Sequence, residues 1–495
     1  VAQIVKFLDR IGGTVLLDMS PGSAGVVVGD GGVQAPPPPV ERVVSSNPSM
    51  EGGLVTLQPS GMRTVTIPLA YTGGVANTSA AIQARRDAVQ ALMRVLTRED
   101  VWLELRSDTL TESRYLHCYR SADPDLLTHL EGLGAHWAEA VVKLSADPYA
   151  YGPKESLGTI TSTPANDLRT TIVGSTIKGE APAPLILGFT HPGGGGSLEQ
   201  FSVWLSSHKP GAYAKCIYDL STAGGTLPGG STRTGVSDAN ALGTSYFQWN
   251  NVPVGSAGHI ASFNMTGPTG GNIAGKGTYR AFAILEPGAL SPPANSTERW
   301  RIDLRVGNSG FSGLPLGETI LCSGDAYVRG TAGLDRVVDM GLLDMPTFGR
   351  DVAVGLDAPA TIAQQAIKVY ATCINNGGAT QANTDLGFDA IVLLPADDAL
   401  ALVQYVSDTT ARTYYLDPFS GTLEARNASN LNVPHQPFIG YSGGAPFVTP
   451  GVDTSLAIMG ALGGFTDPIT PAPGSTVRLG ASCTADYWPR YLSVA

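Results

Sequence analysis

Gly440-Tyr441-Ser442-Gly443-Gly444 fits G-x-S-x-G, the pattern in which a serine nucleophile stands on a tight turn between a strand and a helix. The residues that follow deny that geometry. Ala445-Pro446 and then FVTPG (447–451) read as turn and strand, and the last histidine, His435, lies upstream where a serine, acid, histidine order needs one downstream. Residues 270–277 (GGNIAGKG) match a phosphate-binding loop up to Lys276, but lack the Ser or Thr that would hold magnesium. TYRAFAILEP follows and alternates like a strand, whereas a phosphate loop must open a helix whose N-terminal amides cradle the ligand. The histidines at 117, 129, 136, 191, 208, 259 and 435 have no H-x-x-x-H or H-E-x-x-H spacing, and no dense acidic loop suggests calcium. Asp397-Asp398 sit side by side, so on a strand they point to opposite faces. The chain is therefore read as a non-enzyme with no cofactor and no metal. The remaining candidates for chemistry are aromatic: Trp204, Tyr213, Trp249 and Tyr279, which could stack on sugar rings or pack a core.

The elements that would carry these residues are mostly strands. At 495 residues the chain is long enough for two or three domains, and 61 Gly with 35 Pro among 43% apolar residues imply many short strands joined by tight turns. A net charge of -11 without a dense Lys/Arg cluster argues against a specific nucleic-acid surface. No window approaches a membrane-spanning apolar run, and the first 18 residues lack a signal-peptide pattern. Five cysteines (118, 216, 322, 373, 483), odd in number and widely spaced, read as buried thiols rather than a disulfide framework.

Along the chain, Ile4, Val5, Phe7 and Val15, Leu16, Leu17 flank Gly12-Gly13 as a hairpin. Residues 29–53 contain Pro36 to Pro39, which lack N–H donors, so this stretch cannot hold a central strand and is expected to be an exposed loop or arm. Ile82, Val89, Leu92, Met93 and Leu96 recur at helical spacing over 79–96. VWLELR (101–106), a run at 113–119 and a strand ended by Asp147-Pro148 follow. Residues 154–184, rich in Ser, Thr, Gly and Pro, read as a linker. From Leu185 the pattern is all-β. It is clearest in RWRIDLRVG, with Trp300, Ile302, Leu304 and Val306 on one face and Arg301, Asp303 and Arg305 on the other. The fold class expected is mainly β with one prominent helix: a β-sandwich domain with the helix over 1–153, a jelly roll or related sandwich over 185–400, and 401–495 as a smaller β domain or the completion of that sandwich.

Residues 1–153 resemble the N-terminal belt domain of siphophage distal tail proteins and related minor tail proteins. The likeness rests on the opening hairpin, RTVTIPLAYTG (63–73), the helix AAIQARRDAVQALMRVL (80–96), VWLELR and the closing VVKLSADPYAYGP. WPRYL (488–492) is similar to the way such proteins finish, and the middle of the chain looks like a lectin-like module. The resemblance implies a virion protein of the phage tail tip, made in the bacterial cytoplasm. It further implies a homo-hexameric ring that meets the tail tube protein on one side and tape measure and tail tip or hub proteins on the other. The alternative is a receptor-binding adhesin whose jelly roll recognises a host cell-surface glycan.

Overall fold

The computed structural model describes residues 4–23, 25–29, 31–46, 53–59, 61–72, 78–107, 111–119, 139–163, 165, 167–191, 200–208, 216–221, 225–238, 241–264, 277–287, 298–308, 319–328, 337–345, 365–375, 386–396, 399–406, 412–418, 422–427, 429, 432–433, 438–462 and 481–494. It is mainly β, with one α-helix among the described residues, and divides into two compact units. The first comprises Val1–Ser156, Ser175–Ala183 and Tyr487–Ala495; the second comprises Leu157–Gly174 and Pro184–Asp486.

In the first unit, β1 (Ile4–Leu8) and β2 (Val15–Asp18) form the expected hairpin, with Gly12 at φ 65°, a left-handed turn position that favours glycine. β3 (Gly25–Val28), β6 (Arg63–Thr72), β7 (Asp100–Arg106), β8 (Arg114–Tyr119) and β9 (Glu139–Ala146) complete a sheet in the order β2-β1-β7-β8-β9-β6-β3. Its two edges approach each other: Met19, just after β2, donates to Val5 O, and its own carbonyl accepts from Val28 N of β3. The sheet thus curls into a nearly closed barrel. Helix α1 (Ser79–Leu96) packs beside β2, β3 and β6, burying Leu92 and Val95, with Ala88, Val89 and Leu96 at the margin. The buried stripe therefore includes Val95, and Met93 is only half-buried.

The 29–53 stretch needs correction in part. Pro36 to Pro39 are outside any strand, but Val40–Ser46 is β4, and it pairs antiparallel with β5 (Gly53–Pro59) over seven register positions. These two strands form a ribbon of their own, apart from the barrel sheet. The prolines thus interrupt the sheet, as the missing N–H donors demand, and the chain beyond them returns on itself as a hairpin.

The second unit contains four sheets. Its centre is Leu386–Pro395, where all ten residues are buried, as a strand covered on both faces must be. One side of its sheet packs Trp249, Trp300, Ile302, Val369 and Phe388 into a core, and the other packs Trp204, Phe282, Val392 and Met459. Residues 154–184, expected as a linker, hold strands Glu155–Ser162 and Arg169–Ile172, the latter paired with Thr454–Leu462. Composition misled there because Ser and Thr serve strands as well as loops: buried Ser162 Oγ donates to Ile458 O at 2.7 Å. Residues after 400 also pair with earlier ones, Ala399–Val406 and Thr454–Leu462 flanking Gln200–His208 on either side.

Candidate functional site

Three of the four aromatic residues nominated for sugar stacking lie inside the fold. Trp204, Trp249 and Tyr279 are 1%, 0% and 0% exposed, and Tyr213 lies outside the described residues. Trp204 packs on Phe282 (ring centroids 4.7 Å) and Trp249 on Trp300 (5.4 Å), so these rings are core and offer no face to a ligand. Ser442 lies inside strand Phe438–Gly443, paired with Leu402, and the next element is the short strand Phe447–Val448. A strand–turn–helix elbow is not formed there. Lys276 and Asp397-Asp398 lie outside the described residues. No cluster of His, Cys, Asp and Glu suited to a metal occurs among the described residues.

A polar cluster does assemble on the outer face of the barrel, built by strand pairing. β7 and β8 pair with Asp100 opposite Tyr119 and Trp102 opposite His117, while Val101, Leu103, Leu116 and Cys118 alternate inward to the core. The closing DPYAY segment adds Asp147 and, on strand β10 (Ala150–Tyr151), Tyr151. His117 stands between two carboxylates, with Nε2 3.2 Å from Asp100 Oδ2 and Nδ1 3.3 Å from Asp147 Oδ2. Trp102 stacks flat on its ring at 4.5 Å. Asp147 also accepts from Tyr119 OH at 2.9 Å and Tyr151 OH at 3.3 Å.

Burial alone would lower the His117 pKa, but the bonds and charges of Asp147 and Asp100 outweigh it and raise it. Burial would raise Asp147, and its bonds from His117 and Tyr119 bring it below the ordinary value. Burial, then the bond to and charge of Asp147, pushes Tyr119 up to about 12. The cluster is a charged staple that ties DPYAY to the barrel.

DPYAY meets the other motif of the resemblance. Ala150 and Tyr151 pair with Tyr491 and Arg490, Gly152 N donates to Pro489 O at 2.8 Å, and the Arg490 guanidinium lies 5.1 Å from the Tyr149 ring centroid. Arg63, 1% exposed, donates from Nη2 to Pro148 O and, at 3.3 Å, to Leu492 O. Segment 175–183 closes the junction: Glu180 N donates to Arg490 O at 2.7 Å and Lys178 N to Tyr487 OH at 2.8 Å. Gly179 has φ 112°, and a Cβ there would lie 2.8 Å from Arg490 O, so only glycine suits this crossing.

Sequence reasoning singled out the DPYAY segment as a strand end and as part of the resemblance, but gave Asp147, Asp100 and His117 no place in a site. The 17-residue separation of Asp100 and His117 is no motif, and only the β7–β8 register brings them together. It also missed Asp389, buried in the central strand of the second unit, where burial, outweighing a hydrogen bond from Leu242 N, and the charges of Glu286, Asp219 and Asp238 push the carboxyl up to about 7.

The His117 staple makes a pH prediction. A raised histidine contributes stability fully below about 6.5, and this is lost as pH rises through the folded value. A lowered Asp147 contributes above its ordinary value near 3.8 and loses that as pH falls through the folded one. His117→Phe should therefore cost roughly 1–2 kcal/mol at pH 5.5, since Asp100 is largely exposed and screened, and less at pH 9. Urea titrations of both proteins at the two pH values check it; an equal cost at both would remove the charge from the account.

No protein-family model and no curated protein matches the sequence. Among solved structures, the chain is similar to the crystal structure of the SPP1 Dit (gp 19.1) protein, titled a paradigm of the hub adsorption apparatus in Gram-positive-infecting phages. That likeness has 9% identity, covers 98% of each chain and has a TM-score of 0.32. The phage p2 baseplate in its activated conformation with Sr is similar at 11% identity over 75% of this chain and 98% of that chain, with a TM-score of 0.20. At such TM-scores neither likeness carries the assignment.

Proposed function

We propose that this chain is a non-enzymatic structural protein of a bacteriophage tail, a ring-forming distal tail protein that joins the tail tube to the tail tip. The observation that carries the reading is the β4–β5 ribbon. It leaves a barrel whose own edges are drawn together, and among the described residues its two strands pair only with each other. A ribbon of this kind is suited to add strands to a neighbour. In a closed ring each subunit offers one patch to a different patch on the next copy, and an arm with its receiving surface satisfies that requirement. The resemblance of residues 1–153 to belt domains gives the ring six members, with tail tube protein on one side and tape measure and hub proteins on the other.

The arm can be removed cleanly. Pro39 and Gly61 approach so closely that a Cβ on Gly61 would lie 2.3 Å from Pro39 Cγ, so residues 40–59 can be replaced by a short turn. Native mass spectrometry and electron microscopy should find closed hexameric rings for the intact chain. The arm-less variant should be folded, with rings weakened at least tenfold. A trimer for the intact chain would point to a fibre or spike, and intact rings without the arm would move the interface elsewhere. Removing 185–400, by contrast, would take out strand Gln200–His208 from between its two partners and unfold the second unit.

A further inference from the structure

The fully buried strand Leu386–Pro395 changes phase in its middle. Leu386 and Phe388 face the larger core, as do Ile391 and Leu393, whereas Ala390, Val392 and Leu394 face the other. Strict alternation would put 388 and 391 on opposite faces. Pairing with Gly277–Pro287 explains the shift: Ile284 lies opposite Ala390 and Leu285 opposite Phe388, so Asp389 is the extra residue of a β-bulge. Alternating from Phe388, Asp389 shares the face of Ala390. Asp219 lies opposite Ala390, and Glu286 lies opposite Gly387, between Leu386 and Phe388, so register places all three carboxyls on this face. Asp389 and Glu286 are 1% and 2% exposed.

A short turn, Leu242–Thr244, closes over the cluster. Leu242 packs against the smaller core and its N donates to Asp389 Oδ1 at 2.9 Å. The turn bends through two left-handed residues, Gly243 (φ 68°) and Thr244 (φ 67°), and a β-branched side chain disfavours that conformation at the second. A Cβ on Gly243 would lie 3.1 Å from Asp219 Oδ2, and Asp238 N donates to Thr244 O at 3.1 Å, so both carboxyl-bearing residues border the turn. Gly243 and Thr244 are exposed, so an outward swing here admits water to Asp389. The charged groups of the surrounding strands are engaged elsewhere. Arg233 donates to Leu220 O and Ser221 O at 3.3 and 3.4 Å, Arg280 pairs with Asp339, and Asp167 is held by Arg169 and the amides of Cys216 and Ile217. Burial keeps the Cys216 thiol, in the same core, neutral by pushing it up to about 12.

We propose that Asp389 is a proton latch: protonated, it holds the Leu242–Thr244 turn against the central sheet, and its ionisation lets the turn swing out so that water solvates the charge. The bond from Leu242 N favours the charged form, but burial and the charges of Glu286, Asp219 and Asp238 outweigh it, so the carboxyl titrates near 7 while the turn is closed. With the turn open, water reaches the group and it returns toward its ordinary value of 3.8. The closed form therefore holds a proton that the open form releases. Its advantage is complete below about 3.8, is lost as pH rises from there to about 7, and changes no further above. The strained turn lowers the cost of opening. The latch lies wholly within the second unit and does not depend on ring formation.

The test is hydrogen exchange of the full chain read by mass spectrometry between pH 5 and pH 8, with labelling times rescaled for the intrinsic pH dependence of amide exchange. Peptides spanning 241–247 should show an opening equilibrium at least tenfold larger at pH 8 than at pH 5. Asp389→Asn keeps the size of the side chain and an oxygen to accept from Leu242 N, so its turn should stay closed at both pH values. Glu286→Gln removes one repelling charge and should move the transition to lower pH. His117→Phe, in the other unit, should leave the transition in place. Infrared spectra at pH 6 should show the C=O stretch of a protonated carboxylic acid in the intact chain and lose it in Asp389→Asn. Opening of the turn that does not change with pH, a pH dependence that survives in Asp389→Asn, or an infrared band unaltered by that substitution would each overturn the proposal.

Discussion

Trp300→Ala should cost about 3–5 kcal/mol, the range for removing a fully buried Trp and leaving a cavity. Trp300 is 0% exposed at the centre of the larger core, edge-on to Trp249 at 5.4 Å and to Phe388 at 6.3 Å. Such pairs add about 0.5–1.5 kcal/mol beyond area alone. Its indole N–H also donates to the carboxylate of Glu298, itself 1% exposed, so alanine removes a donor from a buried acid as well as a ring from the core. With domain stabilities of roughly 5–15 kcal/mol, this is a large fraction of the whole. Calorimetry should show the melting of the second unit lowered by roughly 5–10 °C, since the factor, about 2–4 °C per kcal/mol at roughly 150–250 residues, falls as size grows. A loss under about 1 kcal/mol would mean that the two sheets close over the gap. Trp249→Ala and Trp204→Ala should behave in the same way and lose folding stability first, because neither ring reaches the surface.

What the sequence made legible follows from how local each signal is. The helix over 79–96, the opening hairpin and the alternation of RWRIDLRVG are written in consecutive residues, and each appears at the expected place. The fully buried strand Leu386–Pro395 carries its position in an apolar run, LGFDAIVLLP, broken by Asp389. Partnership between distant segments left no such trace. Glu155–Ser162 and Arg169–Ile172 look like linker because their partners lie some 300 residues later. Trp204, Trp249 and Tyr279 illustrate a second limit: Trp and Tyr types suit a sugar platform and a core equally, and only strand alternation relative to the core decides which. The polar face of RWRIDLRVG was visible as Arg301, Asp303 and Arg305, but Asp303 is buried there, and the neighbours His259, Tyr370 and Ser323 come from three other strands and needed the register.

Arg63 carries the other large effect. Its guanidinium is buried, and burial lowers its pKa while the nearby Cys118 and Tyr151 act the other way. It donates to Pro148 O and Leu492 O, so one side chain on β6 holds both the DPYAY turn and the WPRYL segment. Its Nε and Nη1 are buried without hydrogen-bond partners, which means that its own desolvation is only partly compensated. Arg63→Ala deletes the volume and leaves two carbonyls without this donor, at roughly 1–3 kcal/mol for each group left unsatisfied, for a total of about 3–5 kcal/mol once the cavity is included. Arg63→Met keeps most of the volume and sheds the buried charge, so it should cost clearly less, though the carbonyls still lose their donor. Hydrogen exchange gives the local readout: in Arg63→Ala the amides of Gly152 and Glu180, which donate to Pro489 O and Arg490 O, should exchange at least tenfold faster. The amides of Thr170 and Ile458, in the second unit, should keep their rates. If alanine and methionine cost the same, the charge is immaterial and the side chain acts through its volume alone. If Gly152 stays protected in both, the junction is held by strand pairing between Ala150-Tyr151 and Arg490-Tyr491, and Arg63 is not its anchor.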